Sequence, residues 1–311
     1  MTLLLTHPDA DRHETPPGHP EQVARLRAVR EALAGLDLAR EAPEEADDAA
    51  LLLCHPQRYL DRLRTAAPRE GWSQLDADTH LAPGSLRAAR LAVGGALRAV
   101  DAVLAGDHPN AFVAMRPPSH HAEREVPMGF CLFGTVAIAA RHALERHGLA
   151  RVAVVDFDVH HGNGTQALLW DEARAFFVST HQSPLWPGTG DPTETGAHGN
   201  VLNVPLRPGS DGAAFRTAMV ETVLPRLEAF EPELVLVSAG FDAHRDDPLA
   251  QLRWDVEDYA WVTERLCDVA AHHAGGRVVS CLEGGYDLRA LAASARAHVE
   301  VLRRRGHGGD G

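Results

Sequence analysis

The stretch Arg151-Val-Ala-Val-Val-Asp156-Phe-Asp158-Val-His160-His161-Gly-Asn163-Gly-Thr165 decides the fold. Its apolar run, Val152 to Val155, reads as a strand of a parallel sheet, because only a strand covered on both faces is apolar at every position. Two carboxylates and two imidazoles follow directly. They fall at the strand's carboxyl end, where open α/β sheets place their ligands. In extended backbone, side chains two apart share a face, so Asp158 and His160 are expected to point together. That arrangement suits two ligands of one metal ion. Asp156 shares the face one step deeper, where it can orient a neighbour.

Outward from this strand, helical and strand patterns alternate. Helices are expected at 22–36, 85–105, 135–147, 212–230, 256–274 and 288–305, and strands at 111–115, 152–156, 175–179, 200–204, 234–239 and 278–282. This order predicts one α/β domain over residues 1–305, with a mainly parallel sheet covered on both faces. The glycine-rich 306–311 is expected to be a frayed tail. Ser85 is the expected N-cap of its helix, and 42–48 reads as an acidic, solvated loop.

The 311 residues are enough for a large core. Apolar content is 45% and the formal charge −13, with every basic residue an arginine. No basic cluster is present to engage phosphates, which argues against a nucleic-acid partner. No apolar stretch approaches the ~20 residues that span a bilayer. Cys54, Cys131, Cys267 and Cys281 form no C-x-x-C pair, and Met1 to Ala10 lacks a basic lead. Reduced thiols and a cytoplasmic location are therefore expected.

Four expected strands each deliver polar residues just past their carboxyl ends. The strand at 111–115 leads to Arg116-Pro117-Pro118-Ser119-His120-His121, and the Val152 strand to the Asp/His cluster. The strand at 234–239 leads to Gly240-Phe241-Asp242, and that at 278–282 to Glu283-Gly284-Gly285-Tyr286. Neighbouring parallel strands would gather these ends at one rim. Asp158, His160 and a third carboxylate would leave a coordination position open, the pattern of catalytic zinc. Asp242 is the choice for that third ligand, because Gly240 lets the chain turn sharply before it. Asp246 and Asp247 look like a solvated turn. Gly162 stands where a second, bridging carboxylate would be needed, so one metal per chain is expected, Zn²⁺ or alternatively Fe²⁺ or Co²⁺. Adjacent His120 and His121 can act as general base and acid. Asp156 and Asn163 are candidate buttresses whose unequal charge would hold the two rings in different protonation states. Tyr286 can donate to an oxyanion. Gly129-Phe130 and Leu185-Trp186 could line an apolar channel. No Walker A loop, G-x-S-x-G elbow or dinucleotide fingerprint follows a strand.

Taken together, these segments resemble the zinc-dependent histone deacetylase family, including its bacterial deacetylase-like and acetylpolyamine amidohydrolase members. The matching pieces are His19-Pro20-Glu21, Pro117 to Ala122, Met128 to Cys131, Asp156 to Thr165, Pro187 to Gly190, Ala239 to Asp242 and Glu283 to Tyr286. The Gly162-Asn163-Gly164-Thr165 wording looks like the class II branch. The resemblance implies a single-domain, three-layer arginase/deacetylase-like fold with a mainly parallel sheet of about eight strands. It also implies zinc on Asp158, His160 and Asp242, His120 as the base and His121 as the acid. Tyr286 would hold the oxyanion, and Phe130 and Trp186 would flank an acyl-lysine tunnel. Potassium would match Asp156, Asp158 and Ser179. Ser119, Phe157 and Gly134 depart from the family's usual residues and would affect loop rigidity and substrate fit.

The activity so implied is hydrolysis of an N-acyl amide, on an acylated lysine in a peptide or protein, or on a small N-acyl amine. Leu249 matches the position where polyamine-selective relatives carry an acidic gatekeeper, and an apolar residue there favours acyl-lysine over acetylpolyamine. Asp76 and Asp78 are candidates for gripping substrate backbone at the rim, or for capping a loop. A catalytically idle protein that binds acylated partners is the other class of reading. His120, His121 and Tyr286 weigh against it. An oligomer is compatible with the sequence.

Overall fold

The computed structural model describes residues 1–306. Its strands are β1 (Leu3–Leu5), β2 (Ala39–Glu41), β3 (Ser73–Gln74), β4 (His80–Leu81), β5 (Asn110–Val113), β6 (Val152–Asp156), β7 (Ala175–Gln182), β8 (Val201–Leu206), β9 (Leu234–Ala239) and β10 (Val278–Leu282). The helices are α1 (Val23–Leu33), α2 (Asp48–Leu51), α3 (Gln57–Ala66), α4 (Ser85–Ala105), α5 (Thr135–Arg146), α6 (Asn163–Leu169), α7 (Gly212–Ala218), α8 (Leu224–Phe230), α9 (Val256–His273) and α10 (Leu288–Gly306). Eight strands pair in the order β2-β1-β5-β10-β9-β6-β7-β8, every pair parallel. β3 and β4 form a separate small hairpin.

Helix α10 packs between α1 and α9, while α4 packs on α5. The sheet lies between these two helical layers, so β5, β6, β9 and β10 are buried at every position. That explains the unbroken apolar runs: each fully buried Val or Leu contributes about 1.5–3 kcal/mol through water exclusion. The large aromatics Phe112, Phe157, Phe177, Phe241 and Trp254 lie in this core. Among the described residues no helix is long and apolar enough to cross a membrane. The four cysteines are buried and unpaired.

The strand order has one consequence for function. β5, β10, β9 and β6 are consecutive neighbours at the centre of the sheet. They are the four strands whose carboxyl ends carry the polar segments.

Several local expectations are corrected. Strands β1 and β2 have too few residues to give a periodic signal. The span 212–230 is not one helix: a π-helical turn at Met219–Val223 separates α7 from α8. Pro225 has no N–H to offer the preceding turn, and the helix widens there. Gly84, not Ser85, is the N-cap of α4. The Ser85 hydroxyl accepts the Ala82 N–H at 2.7 Å and meets His13 Nδ1 at 2.7 Å. Gly306, expected to begin the tail, is the last residue of α10; residues 307–311 lie outside the described residues.

Candidate active site

β6 stops at Asp156, and residues 158–160 form a bend rather than continuing the strand. Asp158 and His160 nevertheless converge, because Asp158 Oδ1 accepts the His160 N–H at 2.9 Å. His160 Nδ1 lies 3.1 Å from Asp158 Oδ1 and 3.3 Å from Asp242 Oδ2. Ligands about 2.0–2.1 Å from a tetrahedral ion sit roughly 3.3 Å apart, which both separations match, and the three donors all lie within 4.8 Å of one another, close enough for one ion. The other carboxylate oxygens are engaged: Asp158 Oδ2 accepts the Gly284 N–H at 2.8 Å, and Asp242 Oδ1 the Val159 N–H at 2.8 Å. Asp242 Oδ2 is buried without a hydrogen-bond partner. An orphaned buried carboxylate oxygen beside an imidazole and a second carboxylate fits a divalent cation. Burial disfavours a charged His160, yet the neighbouring carboxylates of Asp158 and Asp242 lift the imidazole to about 10. The field that holds a proton there is the field that would hold a metal.

Gly240 acts differently from expectation. Its backbone is not left-handed. A Cβ at this position would lie 2.0 Å from Asp158 Oδ2. The residue is glycine because the Asp158 carboxylate presses against it.

His120 and His121 are in van der Waals contact, with ring centroids 3.9 Å apart. His120 Nδ1 meets Asp156 Oδ2 at 2.9 Å, and its Nε2 lies 3.7 Å from Asp158 Oδ1. His121 Nδ1 meets Asn163 Oδ1 at 2.8 Å. Burial penalises both imidazolium forms. At His120 the carboxylates of Asp158 and Asp156 outweigh burial and raise the imidazole well above its ordinary range. At His121 burial, reinforced by His120 and His160, lowers it well below.

A cavity of about 370 Å³ opens above these groups, lined by His121, Gly129, Phe130, His160, Leu185, Trp186, Leu249, Asp78 and Tyr286. Phe130 is in left-handed backbone at φ 70°, which costs a side-chain-bearing residue about 1–2 kcal/mol. Its N–H donates to Thr79 Oγ1 at 3.0 Å, which helps hold it. At Gly129, φ 56°, a Cβ would come within 2.5 Å of His121 and 2.6 Å of Trp186. Trp186 stands edge-on to His121, centroids 4.7 Å apart. Asp76 Oδ1 accepts the N–H groups of Asp78 and Thr79, so it caps its loop, and Asp78 alone reaches the cavity. Asp156 and Ser179 are cross-strand neighbours. Asp156 Oδ1 accepts the Asp158 N–H, and the Ser179 hydroxyl bonds His181 Nδ1, so these oxygens already have protein partners.

Three supports of the site carry no signal in the sequence. Asp247 is not part of a solvated turn: it is buried, and its carboxylate accepts the N–H groups of Tyr286 at 2.7 Å and Leu249 at 3.0 Å. Glu283 accepts from the Ser119 hydroxyl and from the backbone N–H groups of Ser119 and His120. Ser119 thus adds a bond that glycine could not. Arg25, fully buried, donates to the carbonyls of Glu283 and Gly285, pairs with Glu21 and lies 4.8 Å from the Tyr286 ring centre. Phe157 packs in the core against Phe241 and Tyr259, and Gly134 donates its N–H to His55 Nε2.

A central parallel sheet with a polar constellation at its carboxyl edge, in this strand order, is the arginase/deacetylase fold, and the molecule is a hydrolase built on it. The chain belongs to the histone deacetylase family, whose histone deacetylase domain profile matches residues 19–302. It is 47% identical over 310 residues to the uncharacterized protein slr0245 of Synechocystis sp., covering 97% of this chain and 99% of that one. It is 43% identical over 299 residues to the histone deacetylase-like amidohydrolase of Pseudomonas aeruginosa (95% and 78% covered). A probable deacetylase of Archaeoglobus fulgidus is 35% identical over 297 residues (93% and 82% covered). The crystal structure of the HDA15 HD domain superposes with a TM-score of 0.92 at 34% identity, covering 97% of this chain and 87% of that one.

Proposed function

We propose that this chain is a zinc-dependent deacylase that hydrolyses Nε-acyl-lysine in peptides or proteins, releasing acetate or another short acid. One observation carries this reading: three donors spaced for a single ion lie at the base of a cavity walled by Phe130, Trp186 and Leu249. Asp158, His160 and Asp242 would hold the ion, with Fe²⁺ or Co²⁺ compatible with the same donors. A divalent cation in that seat supplies Lewis acidity to water and amide carbonyl, and offsets the carboxylate field that otherwise keeps His120 protonated. His120, fixed at Nδ1 by Asp156, takes the proton of the attacking water at Nε2. His121, kept neutral by burial, fixed at Nδ1 by Asn163 and packed against His120, relays to the departing amine the proton that the attacking water gives up. Burial raises the Tyr286 phenol well above its ordinary range, so it keeps its proton and donates to the developing oxyanion. The products are a free carboxylate and the lysine amine. Potassium at Asp156, Asp158 and Ser179, and a cytoplasmic location, belong to this proposal through family membership.

A second reading, acetylpolyamine amidohydrolase, draws support from Asp78, which puts a carboxylate at the cavity where a cationic chain would pass. Leu249 on the same wall favours acyl-lysine. Kinetics on an acetyl-lysine peptide and on acetylated polyamines, with wild type and Leu249→Glu, separate the two. Wild type is expected to prefer the peptide, and Leu249→Glu to shift selectivity toward polyamines by about tenfold, the worth of one favourable charge contact. A wild-type preference for polyamines overturns the acyl-lysine reading.

A further inference from the structure

Away from the catalytic rim, one group of side chains has the composition of a metal site. Asp101 lies on α4, His142 on α5, and His147 is the residue that caps α5. His142 Nε2 and His147 Nε2 each lie 2.7 Å from the same oxygen, Asp101 Oδ1. The imidazole rings stand 5.3 Å apart at 71°. Side chains five positions apart on a continuous helix diverge by about 140°. These two meet because α5 ends at Arg146, and His147, at φ −100° and ψ −7°, has left the helical path.

We propose that Asp101, His142 and His147 form a second divalent-cation site, taking an imidazole-preferring ion such as Zn²⁺, Ni²⁺ or Co²⁺. As a proton-mediated cluster it is weak. Exposed Asp–His pairs contribute about 0–1 kcal/mol, and two imidazoliums on one oxygen repel each other. A single divalent ion satisfies all three donors together. Two nitrogens and one carboxylate oxygen select a borderline transition metal over Mg²⁺ or Ca²⁺, which prefer all-oxygen sets. The donors open by roughly half an ångström on loading to reach tetrahedral spacing. Their exposure permits this: side-chain accessibility is 46% for Asp101, 15% for His142 and 30% for His147. Water completes the coordination. The three residues line a cleft of about 1010 Å³ with Glu41, Glu44, Glu45, Asp47, Arg98 and Arg146, so its carboxylates outnumber its guanidiniums and the net negative field favours cation entry. Bound there, the ion clasps the carboxyl end of α5 to the carboxyl end of α4 and stabilises the folded state by mass action.

The test uses zinc-loaded enzyme freed of excess metal on a desalting column and titrated with Ni²⁺ by calorimetry, with thermal melting in parallel. Wild type is expected to take up one more submillimolar equivalent than His142→Ala, His147→Ala or Asp101→Asn, and to gain Tm on Ni²⁺ addition where the variants do not. Affinity in each variant falls by at least about tenfold, since one of three protein ligands is lost. Turnover of an acyl-lysine peptide stays unchanged, because none of the three residues lines the cavity above His121. His147→Ala, at the helix cap, keeps the test valid should His142→Ala fold poorly. Equal stoichiometry in wild type and variants, or no submillimolar binding in wild type, overturns the proposal.

Discussion

His120 and Asp156 are joined at 2.9 Å through His120 Nδ1, while the adjacent His121 faces the neutral amide of Asn163 at 2.8 Å. One imidazole has a charged buttress and the other does not. Asp156→Asn keeps the shape and removes the charge. The expected result is a fall in kcat of about 10–100-fold, as for other outer supports of catalytic imidazoles, with metal content and KM nearly unchanged. Steady-state kinetics with elemental analysis checks this; a near-wild-type kcat contradicts the buttress.

Tyr286→Phe deletes one hydroxyl and leaves the ring between Arg25 and Phe130. Removing an oxyanion donor costs about 10²–10³ in kcat. KM for the acyl-lysine peptide should change little. A loss confined to KM would mean that the ring only shapes the cavity.

Gly240→Ala puts a methyl 2.0 Å from Asp158 Oδ2. The carboxylate must move away from His160 and Asp242. Metal affinity should fall at least about tenfold, and stability by about 1–3 kcal/mol, the usual cost of overpacking. Equilibrium dialysis and urea unfolding read the two effects separately.

His55 gives stability a pH dependence. Its Nε2 accepts the Gly134 N–H at 3.0 Å, its Nδ1–H faces the Arg124 carbonyl at 3.1 Å, and its ring stacks on Tyr59. Burial pushes the imidazole down to about 4. Below about pH 6.5 the unfolded chain takes up a proton that the folded protein refuses. The full stability is therefore present above that pH and is lost as pH falls toward 4, by at most about 1.4 kcal/mol per pH unit from this residue. Urea unfolding at pH 7 and pH 5 should show the drop, with a shallower slope in His55→Gln. Equal slopes would remove His55 from the account.

The polar rim was legible in the sequence where chemistry and hydrophobicity coincide. Val152 to Val155 is apolar because both faces of β6 are covered, and the four polar segments share a rim because their strands are sheet neighbours. What was illegible depends on tertiary contact. Asp246 and Asp247 read alike before Pro248, yet only Asp247 is drawn under the Tyr286 backbone. Glu283 meets Ser119 only because β5 and β10 pair. Arg25 looks like an ordinary charged helix residue until Glu21 and two carbonyls enclose it. The two-residue periodicity predicted that Asp158 and His160 would converge, but the strand ends first, and a local hydrogen bond draws them together.

The central claim is that Asp158, His160 and Asp242 hold one ion on which turnover depends. Hydrolysis of an acetyl-lysine peptide should vanish on complete chelation and return with the first equivalent of zinc, while Asp158→Ala neither retains that equivalent nor regains activity. Undiminished turnover by fully chelated protein, or by the Asp158→Ala variant, would contradict the account.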